Sequence, residues 1–359
     1  MVINRFAPQG LVGRQVELQQ ASLILAQDGD LLIAGIPGSG RHTLIRSAAQ
    51  QVGARIIEID CLRTTNESRF LQLFAQGLTQ VFAAPAELAL MQQVLHDYPL
   101  SLEQSPNRSA RLVWHLLPEA EWQLFQILLT LPQTMAELLD CRVVLVLQNL
   151  LHIRSWDRSG KWEAYLRQEI QRQSRVSYAL IATVAETWVH DSNLQLITLA
   201  PLRPEDLQPW IITAMAAEGL KFEPESLALN LFLNYVQGHL GDAIALARRI
   251  WLNCRGLTLI QAHHVHRSAL ALLEDLSSTF ESLILLLPPS QVRVLESLAL
   301  DPTDSPHARD YIQKHQLSKG GSLQGALASL EQKGLVYGPK YGYQIAMPLL
   351  AFWLKHRLA

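Results

Sequence analysis

Short apolar runs of strand length alternate with helical periodicity. A glycine-rich turn follows the first run directly, and the C-terminus reads as three helices and a hairpin. Together these predict an α/β chain: a P-loop doubly wound parallel sheet, then a helical lid, then a C-terminal winged helix-turn-helix. At 359 residues the chain exceeds one core, since single cores stop growing at roughly 250 residues. The spacing predicts domains at 1–200, 201–280 and 281–359.

Pro8-Gln9-Gly10 precedes a helical pattern from Gln15 to Gln27, and Asp28-Gly29-Asp30 turns the chain into a first strand, Leu31 to Ala34. Gly35 to Gly40 form the turn, and a helix from Thr43 to Gln51 follows. Arg55 to Asp60 is the second strand. The stretch from about Asn66 to Asp140 reads as mostly helical, interrupted by Pro85, Pro99, Pro106, Pro118 and Pro132. Val143 to Leu147 is uninterruptedly apolar, as a parallel strand covered on both faces should be. Tyr178 to Thr183 and Leu194 to Leu199 give the fourth and fifth strands, and the pattern places any ligand at the strands' carboxyl ends.

Helix follows helix from Arg203 to about Leu276, opening on Pro204-Glu205-Asp206 and punctuated by Gly219 and Gly238. Ser290 to Leu298, Ala308 to Lys314 and Ser322 to Lys333 are the next helices. Leu335-Val336-Tyr337, the turn Gly338-Pro339-Lys340 and Tyr343-Gln344-Ile345 read as a hairpin, the wing.

Nearly half the residues are hydrophobic and 17% are charged, with a net charge of −2. This composition excludes a long disordered chain and a uniformly basic nucleic-acid binder. Cys61, Cys141 and Cys254 have neither disulfide-framework nor zinc spacing, which fits a reducing cytoplasm. No window reaches the ~18 apolar residues of a membrane span, and Leu283 to Leu287 ends at Pro288-Pro289. His263, His264 and His266 lack a third ligand on one helix face, so they read as structural and no metal site is expected. The eight tryptophans, Trp114, Trp122, Trp156, Trp162, Trp188 and Trp210 among them, show no stacking period and read as core or interface anchors.

The turn Gly35-Ile36-Pro37-Gly38-Ser39-Gly40-Arg41-His42-Thr43 has the glycine spacing of G-x-x-x-x-G-K-[ST], whose backbone N–H groups ring phosphates. Arg41 stands in the lysine's place and His42 in that of the Mg²⁺-holding hydroxyl. Thr43, one residue late, points about 100° away around the helix. Arg41 keeps positive charge but offers a planar fork, able to stand in partly for a metal.

Leu11 to Leu18, the glycine turn about 20 residues later, the helical lid and the terminal winged helix resemble, in this order, the AAA+/STAND group of ATPases. Within it they are most similar to the archaeal-type ATPases and the origin-recognition-like proteins. The resemblance implies that Val12 and Gly13 lie against adenine and that Gly35 to Thr43 hold the phosphates of ATP or ADP. Thr183 would sense the γ-phosphate, and the strand Val143 to Leu147 would deliver two acids. Gln148 and Asn149 stand there instead. An amide takes no proton at neutral pH, and losing a general base commonly removes ~10²–10⁴ in rate. Magnesium prefers charged oxygen ligands, so binding is expected to be Mg-independent or weakly Mg-dependent, and no catalytic residue is assigned. Gly238 to Ala243 resembles the lid motif, with Leu240 where proline is common and no second-sensor arginine. Arg154, Arg158, Arg172 and Arg175 are equal candidates for an arginine finger.

Leu323, Leu327 and Leu330 form the buried stripe of the winged helix's third helix. From Leu283 onward there are eight Lys/Arg and five Asp/Glu, only mildly basic. DNA contact through Lys319, Gln324, Lys340 and Tyr341 would therefore be weak and salt-sensitive in a single copy, and stronger in a homo-oligomer. Docking of a protein partner by this domain is the competing expectation. The sequence thus points to a cytoplasmic, non-hydrolysing or very slow nucleotide-binding adaptor acting on DNA or a DNA-associated partner. Two readings stand beside it: an active ATPase of origin-recognition or transposition-regulator type, and a structural interaction protein with a vacant site.

Overall fold

The computed structural model describes residues 6–8, 10–104, 110–114, 121–170, 172–190 and 192–358. Pro106 and Pro118 lie outside them. The chain forms two compact units: Met1–Gln15 with Gly35–Arg41 and Thr198–Ala359, and Val16–Ala34 with His42–Ile197.

The second unit carries the sheet. Its elements are α1 (Gln15–Ala26), β1 (Leu31–Ala34), α2 (Arg41–Gln51), β2 (Arg55–Asp60), α3 (Glu67–Val81), α4 (Pro85–Val94), β3 (Ser101–Gln104), β4 (Ala110–Val113), α5 (Glu121–Leu138), β5 (Val143–Gln148), α6 (Lys161–Ile170), β6 (Val176–Ala182), α7 (Thr187–His190) and β7 (Gln195–Thr198). The strand order is β2-β5-β6-β1-β7, and the pairings of β2 with β5, β5 with β6 and β6 with β1 are parallel. The chain leaves β1, crosses to the far edge and works back, so the order reverses at β1, where α/β sheets bind ligands. All four residues of β1 and the first five of β5 are buried, as expected for strands covered on both faces. Phe70, Phe125 and Trp162 meet in the core beside them, with the rings of Phe125 and Trp162 stacked 4.4 Å apart.

One expectation for the stretch 66–140 fails. Pro132 does not interrupt a helix but lies inside α5. An interior proline costs ~3 kcal/mol, and here burial of Leu124, Phe125, Leu128, Leu129 and Met135 on the same helix outweighs it. The stretch is mostly helical as expected, in α3, α4 and α5, and β3 and β4 add an antiparallel pair with Leu102 opposite Leu112 that the sequence did not show.

The first unit holds α8 (Pro204–Ala217), β8 (Lys221–Phe222), α9 (Ala228–Val236), α10 (Leu240–Asn253), β9 (Leu259–Ile260), α11 (Ala262–Leu285), α12 (Pro289–Leu300), α13 (Arg309–Lys314), α14 (Gly321–Gln332) and α15 (Pro348–Leu358). One core runs through it, from Val12 and Leu207 through Phe232, Leu246 and Leu272 to Leu295, Leu327 and Leu350. His264 closes the first turn of α11, its Nδ1 accepting the Gln261 N–H at 3.1 Å, and His266 Nδ1 lies 2.7 Å from the Tyr235 hydroxyl. Both histidines are structural in this sense.

The expected wing hairpin is shorter than its sequence suggests. It consists of one bridge, Val336 to Ile345, flanked by Tyr337 N–H to Gln344 O and Ala346 N–H to Leu335 O, both 2.8 Å. Pro339, which has no N–H to donate, opens a 3₁₀ turn, Pro339–Tyr341, that ends the ladder. The sequence reading also passed over α15, although Leu349, Leu350, Trp353 and Leu354 carry helical spacing and are all buried. Among the described residues no helix is long and apolar enough to cross a membrane.

Candidate nucleotide site

The glycine turn leaves the carboxyl end of β1 and opens α2. Gly38 and Gly40 have φ of +84° and +93°, in the left-handed region that favours glycine. A Cβ on Gly38 would fall 2.7 Å from His239 Nε2, whereas one on Gly40 would meet nothing within 4 Å. The loop therefore has one closely packed shoulder and one open one. The Ser39 N–H donates to the Ile36 carbonyl at 3.2 Å, and its Oγ is buried with no hydrogen-bond partner among the described residues. Arg41 is buried at the start of α2, and burial lowers its pKa. His42 is half-buried. Thr43 is exposed, consistent with the helical offset that makes it a poor replacement for the hydroxyl.

The packed shoulder belongs to the lid. Gly238 takes φ +77°, and a Cβ there would sit 2.2 Å from the Leu202 carbonyl, so only glycine fits. His239 follows, 94% buried, and caps α10. Its Nε2 lies 2.9 Å from the Pro37 carbonyl, which only accepts, so Nε2 carries a proton. Its Nδ1 lies 3.1 Å from the Asp242 amide nitrogen and 2.9 Å from Asp242 Oδ1. The neutral ring accepts the first, and the charged ring donates to the second. Burial by itself lowers the pKa of this ring, but the Asp242 hydrogen bond and charge, with the Pro37 carbonyl, outweigh it and raise the pKa. Asp242 Oδ2 in turn accepts the Leu349 N–H at 2.9 Å in the first turn of α15. A continuous chain of polar contacts thus runs from the glycine loop through the lid to the last helix.

The same loop meets the wing. Ile36, Tyr337 and Ala346 are buried together, and Tyr341 packs on them with its ring 5.5 Å from that of Tyr337. Val12 is buried in the lid core. Gly13, at φ +61°, lies so close to α8 that a Cβ would be 2.9 Å from Asp206 Cβ. The Arg14 guanidinium donates to the Ala200 carbonyl.

In the sheet unit, β5 ends at half-buried Gln148, in register with Asp60 at the end of β2. Asn149 adopts a left-handed conformation, donates its N–H to the Ile181 carbonyl at 3.0 Å, and donates from Nδ2 to Asp60 Oδ1 at 3.2 Å. Asp60 is a carboxylate at a strand end that sequence reasoning overlooked. Its signal was the closing acid of the alternating run Ile57-Glu58-Ile59-Asp60. Glu58 is engaged with Arg46, 2.6 Å away. Thr183 is half-buried just past β6.

Three of the four finger candidates have carboxylate partners. Arg154 forms a fork with Glu163, both contacts 2.7 Å, and also bonds Glu186. Arg172 pairs with Glu169 at 3.2 Å and Arg175 with Asp140 at 3.3 Å. Arg158 is exposed on the loop before α6.

On the winged helix Lys319, Gln324 and Lys340 are exposed, with Lys340 Nζ 5.4 Å above the Tyr341 ring. Tyr341 is half-buried. Two further lysines are engaged internally: Lys314 with Asp301 at 2.6 Å, and Lys333 with Gln291 and Ser329 at 2.9 and 2.8 Å.

Residues 278–356 match a family described as a probable winged helix domain. Among solved structures, a Walker-type ATPase of Pyrococcus abyssi is similar with a TM-score of 0.66 at 15% identity, over 98% of this chain and 99% of that one. The Aeropyrum pernix ORC2 protein, solved in ADPNP–ADP complexes, gives 0.53 at 12% identity over 99% and 98%. The ORC1 protein of the same organism, solved in complex with DNA, gives 0.50 at 15% over 99% and 97%. A comparison with curated protein sequences gives no match. The fold is that of the AAA+ P-loop ATPases, with a parallel central sheet and a C-terminal winged helix.

Proposed function

We propose that this chain is a nucleotide-binding AAA+/STAND-like adaptor that hydrolyses very slowly or not at all, and that it acts in the cytoplasm on DNA or a DNA-associated partner through its winged helix. The observation that carries this reading is the chain Pro37–His239–Asp242–Leu349, which ties the glycine loop to α15 through one side-chain pair, His239 buried and Asp242 half-buried. Residues of the loop suit ATP or ADP. The buried Ser39 Oγ lacks a partner, Gly40 faces open space, and the α2 N-terminus with Arg41 favours an anion. When bound, the nucleotide supplies phosphate charge for these donors. His239 and Asp242 would then pass any displacement of Pro37 to α15, so binding energy rather than turnover sets the populations. His42, Gln148 and Asn149 account for the slow chemistry, since none offers the charged oxygen that magnesium or a general base requires.

Equilibrium titration with ATP and ADP, each with and without Mg²⁺, tests this. Comparable affinity in both metal conditions is the expected result, and no response in any condition supports a vacant interaction protein instead. One observation favours the ATPase reading as runner-up: Asp60 places a carboxylate beside Asn149. Multiple-turnover phosphate release abolished by Asp60→Asn would establish that reading.

A further inference from the structure

A groove of about 570 Å³ lies in the sheet unit between α3 and β4. One wall is a stripe of α3. Arg69, Gln72, Gln76 and Gln80 are its exposed residues, at spacings of three and four, and Arg69 Nη1 donates to Gln72 Oε1 at 3.2 Å. The other wall is β4 with Arg111 and Trp114. Residues 110, 111 and 112 line it consecutively. A strand presents alternate residues with its face and successive ones only with its edge, so the groove looks onto the backbone edge of β4. Among the described residues that strand pairs with β3 on its other side, in a sheet of two strands.

We infer that this groove is a docking site for an extended acidic peptide of a partner protein, laid as a third strand along β4. An edge strand supplies N–H and C=O groups at the repeat of a second strand, the basis of β-augmentation. Gln72, Gln76 and Gln80 rise ~6 Å apart along α3, close to the ~6.8 Å two-residue repeat of an extended chain. Each amide therefore meets successive side chains or peptide groups on one face of the guest. Arg69 and Arg111 set the charge, since both are exposed and both line the groove. Glu103, directly across from Arg111 in the β3–β4 ladder, is not part of the lining. Trp114 is half-buried against the core, so it acts as a fixed apolar wall and not as a free stacking platform for bases, which favours a peptide over a single nucleic-acid strand. The stripe from Arg69 to Gln80 spans ~16 Å, room for about five extended residues. This inference does not depend on nucleotide binding.

The test is selection from a displayed library of random peptides, about eight residues long, on the full-length chain, with counter-selection on the Arg69→Glu/Arg111→Glu double variant. Recovered sequences should carry Asp or Glu at alternating positions. Synthetic versions should bind the double variant about tenfold or more weakly and lose binding when alternate backbone amides are N-methylated. Urea unfolding of the variant should match the parent, because the exchanged residues are exposed. Three results would overturn the inference: no sequences that distinguish parent from variant, indifference to N-methylation, or tighter binding of an oligo-dT strand that is lost through the same two charge reversals.

Discussion

His239 Nε2 lies 2.9 Å from the carbonyl oxygen of Pro37, so the lid grips the glycine loop by its backbone. An arginine reaching for a phosphate would grip a ligand. The histidine grips the loop itself, and its second nitrogen engages Asp242, whose other oxygen holds the N-terminus of α15. Loop, lid and last helix are therefore one mechanical element in this unit. Replacing His239 by Ala removes two hydrogen bonds, one to the Pro37 carbonyl and one that caps α10. A loss of about 1–3 kcal/mol is expected, read as a lower urea midpoint.

The same ring predicts a pH dependence. Its pKa in the fold is raised above the ordinary 6.5, with burial opposing and Asp242 and the Pro37 carbonyl prevailing. A raised basic pKa contributes stability that is fully present below the unfolded value of 6.5 and lost as pH rises through the folded value. Arg14, Asp242 and Tyr341 are the other titratable groups acting around this corner through Tyr337, whose pKa burial raises. Between about pH 6 and pH 9 the urea midpoint of the parent should fall more than that of His239→Gln, whose amide does not titrate. Parallel profiles would remove His239 as the cause.

Asp30 sits just before β1 and accepts the Tyr178 N–H at 2.7 Å. Burial pushes its pKa up to about 7, against the lowering effect of that hydrogen bond. The fold therefore favours the neutral carboxyl, and stability declines as pH rises from the ordinary 3.8 to about 7. Asp30→Asn keeps an acceptor and removes the charge. It should stabilise the protein at pH 8 by on the order of 1–3 kcal/mol and have little effect near pH 4, measured by thermal unfolding at both.

The parts of this structure that were legible in the sequence are those where local pattern and tertiary environment agree. β1 and β5 stand out because strands buried on both faces need continuous apolar runs, β2 because Ile57 and Ile59 alternate with Glu58 and Asp60, and Gly35 to Gly40 because their spacing serves one backbone geometry. The hairpin β3–β4 was obscured because four-residue strands carry too few alternations to compete with helical periodicity on both sides. Pro132 misled because its local cost is set against burial contributed by distant residues. Asp60 gained a role only through its register with Gln148, and the grip of His239 on Pro37 spans 202 positions. Neither contact leaves a trace in local spacing.

Ser39 Oγ is buried without a hydrogen-bond partner, which costs stability until something bonds it. Ser39→Ala should leave unfolding in the absence of nucleotide unchanged, or raise its midpoint slightly. It should also weaken ATP binding by roughly tenfold to a hundredfold, the value of one hydrogen bond to a charged group at about 1.5–3 kcal/mol. Opposite signs in the two measurements are expected of a donor placed for a ligand, and equal loss in both would assign it to the fold alone.

The proposed slow hydrolysis is tested by returning the family residues to the loop and to the end of β5. Arg41→Lys, His42→Thr, Gln148→Asp and Asn149→Glu together return the compact ammonium, the metal-holding hydroxyl and two carboxylates to the loop and to the end of β5. Glu at 149 would also face Asp60, whose Oδ1 now accepts the Asn149 amide. That like-charge contact is expected to cost stability, so Asp60→Asn is the companion change. The five-fold variant should release phosphate from ATP in a Mg²⁺-dependent way, at least ~10²-fold faster than the parent. The four-fold variant should be faster but less stable. If neither exceeds the parent while both still bind ATP, the slow chemistry has its origin outside positions 41, 42, 148 and 149, and the grip of His239 on Pro37 becomes the next cause to remove.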